Sequence, residues 1–212
     1  MPTPDPTENL PVVPRELDRP KLLIGEGKDE VFIFDALLSH LEIEEVRVEE
    51  YGGKQKLPDY LDALKLRPGF ANLISLGVTR DADTNAPDAF ASVRNHLNNR
   101  DFATPNVSGN IQPGTPTVGI MIFPDGQNAG MLEDVCLEAW RSDVLMPCID
   151  DYFECVRAAK GNGPTQISKA RVHAWLAAQT PPDMRLGIAA QRELIDWSNS
   201  AFDRLREFMT AL

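Results

Sequence analysis

An α/β fold is predicted for this chain: a mostly parallel four-stranded sheet flanked by helices, followed by a helical C-terminal extension. Three observations predict it. Short apolar runs alternate with helically spaced segments between residues 21 and 127. Two of those runs, Leu22-Leu23-Ile24 and Leu73-Ile74-Ser75-Leu76-Gly77-Val78, open into acidic loops, as parallel strands do at their carboxyl ends. Beyond residue 128 every apolar pattern has helical spacing. The expected organisation is a Pro-rich arm over 1–20, an α/β core over 21–127 and a helical extension over 128–212.

Pro2, Pro4, Pro6, Pro11, Pro14 and Pro20 block regular hydrogen bonding at the start, which predicts an extended arm with Leu10, Val12 and Val13 available for docking. Residues 22–26 then read as a buried strand ending in the tight turn Gly25-Glu26-Gly27. Over 29–41, Val31, Phe34, Leu37, Leu38 and Leu41 have helical period, with Asp29 as the N-cap candidate. Residues 46–51 alternate as a second strand, Gly52-Gly53 breaks it, and Leu57, Leu61 and Leu64 form the stripe of a second helix. A third strand over 73–78 and a third helix over 88–97 follow. The span 98–116, rich in Asn, Gly, Pro and Thr, is expected to be loop. Val118-Gly119-Ile120-Met121-Ile122-Phe123 supplies the fourth strand, and Pro124-Asp125-Gly126 turns the chain. Helices are then expected around 131–137, over 144–159, from a Ser168 cap through Leu176, and over 201–212.

With 212 residues, 42% hydrophobic and 25% charged, the chain supports a sizeable core and is not disordered throughout. No run approaches the ~20 apolar residues of a spanning helix, and the acidic start lacks a basic and apolar export signal. A cytoplasmic protein without membrane contact is expected. Cys136, Cys148 and Cys155 form no CxxC pair and are expected to be buried, reduced thiols. His40, His96 and His173 make no HxH or HExxH pattern, and GxSxG is absent, which disfavours zinc chemistry and His-activated nucleophiles. A net charge of −11 opposes non-specific nucleic-acid binding, which comes largely from Lys and Arg. A nuclease stays open, because divalent cations neutralise a carboxylate site locally and a partner can supply a basic track.

Gly25-x-Gly27-Lys28 completes neither Walker A nor the dinucleotide fingerprint, which needs a glycine where Glu30 stands. What remains is Glu26, presented at a strand end. Asp81-x-Asp83 follows the third strand, so parallel neighbours would bring Glu26, Asp81 and Asp83 to one sheet edge as a hard-cation site for Mg²⁺ or Mn²⁺. The order strand-Glu-Gly, strand, strand-Asp-x-Asp resembles the TOPRIM fold, a Rossmann-like sheet shared by topoisomerases, bacterial primases, M5-type ribonucleases and OLD-family nucleases. The phrases Gly25-Glu26-Gly27-Lys28-Asp29-Glu30, Tyr51-Gly52-Gly53-Lys54, Leu76-Gly77-Val78-Thr79-Arg80-Asp81-Ala82-Asp83 and Gly130-Met131-Leu132-Glu133-Asp134 resemble a compact TOPRIM-related prokaryotic family with little assigned function, over about residues 21–212.

The resemblance to OLD nucleases implies metal-dependent hydrolysis of DNA or RNA by an activated water. Glu26, Asp81 and Asp83 would hold one or two ions together with an acidic residue after the last core strand, and a downstream Lys would complete the site. Glu133 fits the acidic role, with Asp134 as its competitor, and Lys169 fits the other. Dipole stabilisation at a helix N-terminus and a solvated helix face are the structural alternatives. Lys54, beside Gly52-Gly53, and Arg80 are candidates for substrate phosphate, against a plain turn and a structural ion pair. The resemblance also implies a protein partner such as an ATPase in an antiviral defence complex, and leaves a homo-oligomer open. The DNA-linked tyrosine of a topoisomerase normally comes from a domain that has no counterpart here, so hydrolysis is the expected chemistry. The alternatives are a catalytically idle regulatory or assembly subunit and, third, a nucleotide-binding enzyme.

Overall fold

A computed structural model describes residues 16–212 of the chain; the first fifteen residues of the expected Pro-rich arm lie outside the described residues. The elements run β1 (Lys21–Gly25), α1 (Lys28–His40), β2 (Val46–Glu50), α2 (Leu57–Lys65), β3 (Ser75–Asp81), α3 (Ala86–Asn98), β4 (Ile111–Gln112) and β5 (Thr117–Phe123). Helices α4 (Leu132–Ala139), α5 (Met146–Lys160), α6 (Ile167–Ala177), α7 (Leu186–Gln191) and α8 (Asp203–Ala211) complete the chain.

Leu22, Leu23 and Ile24 are apolar in succession because both faces of their strand are covered, as a central parallel strand requires. The sheet order is β2-β1-β3-β5-β4, with β2, β1, β3 and β5 mutually parallel. These are the four strands expected. A fifth, β4, pairs antiparallel with β5 through Ile111 and Gln112, inside the span read as loop. Two residues are too few for a periodic signal, and their strand character comes from the neighbour they pair with.

Leu22, Ile24, Leu76, Val78, Val118, Ile120 and Ile122 point to the face covered by α2 and α3. Leu23, Met121 and Phe123 point to the other face, where α1 packs together with the helices that follow residue 131. Gly77 and Gly119 stand opposite each other on β3 and β5 and make room there for the end of the chain. A Cβ at Gly77 would lie 2.8 Å from Leu212 Cδ1, and one at Gly119 would lie 2.7 Å from the Phe208 ring. The glycines thus seat α8 directly on the sheet, burying Phe208 for about 1.5–3 kcal/mol.

Local starts differ from the sequence reading in two places. Gly27, not Asp29, is the N-cap of α1, and the Glu30 carboxylate accepts the Gly27 N–H at 3.1 Å. Helix α6 begins at Ile167 with Gln166 as its N-cap, so Ser168 lies inside the first turn and its hydroxyl turns to Asp134 instead. Among the described residues no helix is long and apolar enough to cross a membrane. Cys136 is buried as expected; Cys148 and Cys155 are exposed, because α5 turns them away from the core.

Candidate functional site

From β1 the chain goes to β2 on one side and then, through α2, to β3 on the other. That reversal leaves a crevice between the carboxyl ends of β1 and β3, the place where open α/β sheets bind ligands. Glu26 follows the last residue of β1, and Asp81 is the last residue of β3.

Glu26 is fixed by the loop after β2. Its carbonyl accepts N–H bonds from Gly52 at 3.1 Å and Gly53 at 2.9 Å, and its carboxylate accepts the Lys54 N–H at 3.2 Å. Two successive donors converge on one oxygen because Gly52 (φ 81°) and Gly53 (φ 107°) occupy the left-handed region that favours glycine. Tyr51 ties the same loop down from below: its N–H reaches the Gly25 carbonyl, and its buried hydroxyl donates to the Thr79 carbonyl at 3.0 Å.

The Asp81 carboxylate accepts the N–H of Leu132, the first residue of α4, at 2.9 Å. Glu133, one residue further into that helix, therefore faces the same crevice. Lys169 approaches from α6 with its ammonium 3.3 Å from the Glu133 carboxylate. A cleft of ≈ 360 Å³ is lined by Glu26, Glu30, Asp81, Glu133, Lys169 and Arg185, among others. A larger cavity of ≈ 770 Å³ between α1 and residues 190–197 also carries acidic groups, Asp35, Glu193 and Asp196 with His40, but it lies at the far end of α1 and not at the carboxyl ends of β1 and β3.

Five carboxylates, Glu26, Asp29, Glu30, Asp81 and Glu133, against the three cations Lys28, Lys169 and Arg185 leave negative charge in excess in a partly dry cleft. Burial and then the charge of Glu133 push the Asp81 carboxyl well above its ordinary range, against the opposing pull of the Leu132 N–H; Glu30 and Glu26 add to the rise. Glu30 is raised for the same reasons, burial first. For Lys169 burial opposes the charged form, but Glu133, Asp81 and Glu30 more than offset it, and its pKa rises.

The other sequence candidates stand elsewhere. Asp83 is exposed, in the left-handed region at φ 53°, and its backbone forms an antiparallel bridge with Gly130. Its carboxylate holds the Lys54 ammonium at 3.1 Å, so this pair sits beside the cleft rather than in it. Asp134 accepts the Met131 N–H at 2.8 Å and the Ser168 hydroxyl at 2.5 Å, fastening α4 to α6. Arg80 points to the opposite face of the sheet, where it donates to Ser92 on α3. Sequence reasoning missed Glu30 and Arg185. The four-residue spacing from Glu26 could have flagged Glu30, whereas Arg185 precedes a six-residue helix whose sequence carries no such signal.

The donor chemistry fits a hard divalent cation: all the acidic groups offer oxygen, and the charge excess is what such an ion would neutralise. Among the described residues no group of three or more His, Cys, Asp or Glu side chains is disposed to hold a metal ion. Glu30, Asp81 and Glu133 are meanwhile engaged with Gly27, Leu132 and Lys169.

The sequence profile of a family described as a protein of unknown function, DUF3226, matches residues 20–212. The chain belongs to the DUF3226 family. No curated protein matches this DUF3226 chain. A solved structure, the C-terminal region of the Xanthomonas campestris pv. campestris OLD protein, aligns with it at 15% identity and a TM-score of 0.38, over 92% of this chain and 87% of that one.

Proposed function

We propose that this DUF3226 protein is a Mg²⁺- or Mn²⁺-dependent phosphodiesterase acting on DNA or RNA. The observation that carries the reading is that Glu26, Asp81 and Glu133, from three separate parts of the chain, line one cleft at the switch point of a parallel sheet, with Lys169 on its border. The resemblance of the strand-Glu-Gly and strand-Asp-x-Asp order to TOPRIM nucleases supports it independently.

Glu26, Asp81 and Glu133, with Glu30 behind them, would hold the cation, and Asp83 would join on release from Lys54. The bound ion would supply Lewis acidity and a water of lowered pKa. The protein's own contributions are positional and electrostatic. Gly52 and Gly53 lock the Glu26 backbone, the α4 N-terminus orients Asp81, and Glu133 holds Lys169 where its charge offsets that building up on a phosphoryl oxygen. Lys54 and Arg80 are assigned to holding structure rather than substrate phosphate, and Asp134 to holding structure rather than metal. With a chain charge of −11, the basic track for the polymer would come from a protein partner, an ATPase being the kind that the OLD resemblance suggests.

A second reading, an idle TOPRIM-like assembly subunit, draws on the Asp83–Lys54 pair, which leaves the Asp-x-Asp only half turned into the cleft. Incubation of labelled single- and double-stranded DNA and RNA with Mg²⁺ or Mn²⁺ separates the two. Hydrolysis by the wild type and its loss in Asp81→Asn/Glu133→Gln is the expected result. Equal hydrolysis by the double variant would overturn the site, and a wild type that neither cleaves nor gains thermal stability with either cation would favour the idle subunit.

A further inference from the structure

Strand β2 stands at one edge of the sheet, and among the described residues no strand pairs with its outer side. Open strand edges invite unwanted pairing, and native chains usually cover them. Along this edge runs a groove of ≈ 600 Å³, between α1 on one face of the sheet and α2 on the other. Its lining is mostly apolar and includes Phe32, Val48, Ala63 and Leu66. Phe32 is 37% exposed and Leu66 81%, so both walls leave a large apolar side chain toward solvent. The charges of the groove are meanwhile satisfied within the chain, where Glu49 binds Arg47, Arg67 and Tyr60. What the groove offers an occupant is therefore apolar contact rather than charge.

The chain itself enters at the rim of this groove. Glu16, the first described residue, offers its carbonyl to Arg47 at 3.4 Å, and the Leu17 N–H donates to the carbonyl of Pro68, next to Arg67. Arg47 and Arg67 both line the groove, so the fifteen residues before Glu16 start from its edge. Those residues carry Leu10-Pro11-Val12-Val13-Pro14, an apolar stretch whose prolines favour the extended polyproline conformation. At ~3.1 Å per residue, Val12 and Val13 reach about 9–12 Å from Glu16. From Arg47 to Glu50 the edge of β2 measures about 10 Å at ~3.3 Å per residue. The apolar stretch matches the groove in chemistry, distance and length, and aromatic-walled grooves are what polyproline segments dock into.

We propose that residues 10–14 occupy this groove in the same molecule, laying Leu10, Val12 and Val13 against Phe32, Val48 and Leu66 and covering the open edge of β2. Attachment at Glu16 selects this occupant: a segment joined to the rim is present at an effective concentration on the order of millimolar, which a free copy does not match. Pro11 and Pro14 have no N–H to donate, so the docked stretch closes the sheet rather than offering it a further edge. Because Lys28 lines both the groove and the carboxylate cleft, the occupied groove borders the candidate site without sharing its carboxylates.

Chemical denaturation of the full chain, arranged as a double-variant cycle, tests this. Val12→Ser/Val13→Ser and Leu66→Ser are each expected to raise the unfolding constant at least about fivefold. At an exposed position such as Leu66 a substitution ordinarily changes little, so an effect there reports the occupant. With both sites changed the loss should be no larger than from one, because the same contact is removed twice. Hydrogen exchange over residues 46–50 should quicken about tenfold in Val12→Ser/Val13→Ser, to the same extent at every protein concentration. A Val12→Ser/Val13→Ser chain as stable as the wild type, a silent Leu66→Ser, or losses that add would each overturn the proposal. So would protection of β2 that grows with protein concentration, which would place the segment on a second copy.

Discussion

Asp81 is held by two opposing demands. The Leu132 N–H wants an acceptor at this point, while burial and three neighbouring glutamates disfavour a charge there. Asn satisfies the first demand without the second, so Asp81→Asn is expected to stabilise the cation-free protein. In chelator at neutral pH the gain should be about 0.5–2 kcal/mol, the range seen when functional strain is relieved. Thermal denaturation checks it, and a loss of stability would show that the charge is not the strained feature. The neighbouring pair divides in the opposite sense. Asp134 caps α4 and takes the Ser168 hydroxyl, so Asp134→Ala should cost about 1–2 kcal/mol in chemical denaturation. Glu133→Gln, which leaves those bonds in place, should cost less.

At the scale of elements, the edge strand β2 is clamped to α2 by Glu49. Its carboxylate accepts from Tyr60 at 2.6 Å and from Arg67 at 2.6 and 3.0 Å, and also pairs with Arg47. Burial alone would raise the Glu49 carboxyl, but hydrogen bonds from Arg67 and Tyr60 and the nearby guanidinium charges outweigh it and hold it below its ordinary value of 4.5. A depressed carboxyl stabilises the fold above its unfolded pKa and ceases to as pH falls through its folded one. Glu49→Gln should therefore cost about 2 kcal/mol at neutral pH, with the gap to wild type closing in acid below about pH 4.5. Stability measured across that range decides it. The clamp also illustrates what the sequence could and could not disclose. The placement of Glu26 and Asp81 was legible because a strand end in a parallel sheet has a known destination, whereas Glu133 came only from the resemblance to OLD nucleases, with Asp134 as its competitor. The roles of Asp83 and Lys54 were not, since an Asp-x-Asp does not say which carboxylate a φ of 53° will turn toward a lysine. The seating of α8 on Gly77 and Gly119 was equally hidden, being a contact between residues some ninety to a hundred and thirty apart that no local pattern records.

Across the whole molecule, one sheet divides the labour. The face under α2 and α3 is a closed apolar layer, while the opposite face gathers α1, α4 and α6, which deliver Glu30, Glu133 and Lys169 to the crevice between β1 and β3. In the proposed function this crevice answers its excess of negative charge with a divalent cation. Calorimetric titration of Mn²⁺ into the wild type, Asp134→Ala and Asp81→Asn tests it without requiring a substrate or partner. Binding to the wild type and to Asp134→Ala, with loss in Asp81→Asn, is the predicted result; heats in Asp81→Asn equal to those of the wild type would contradict it.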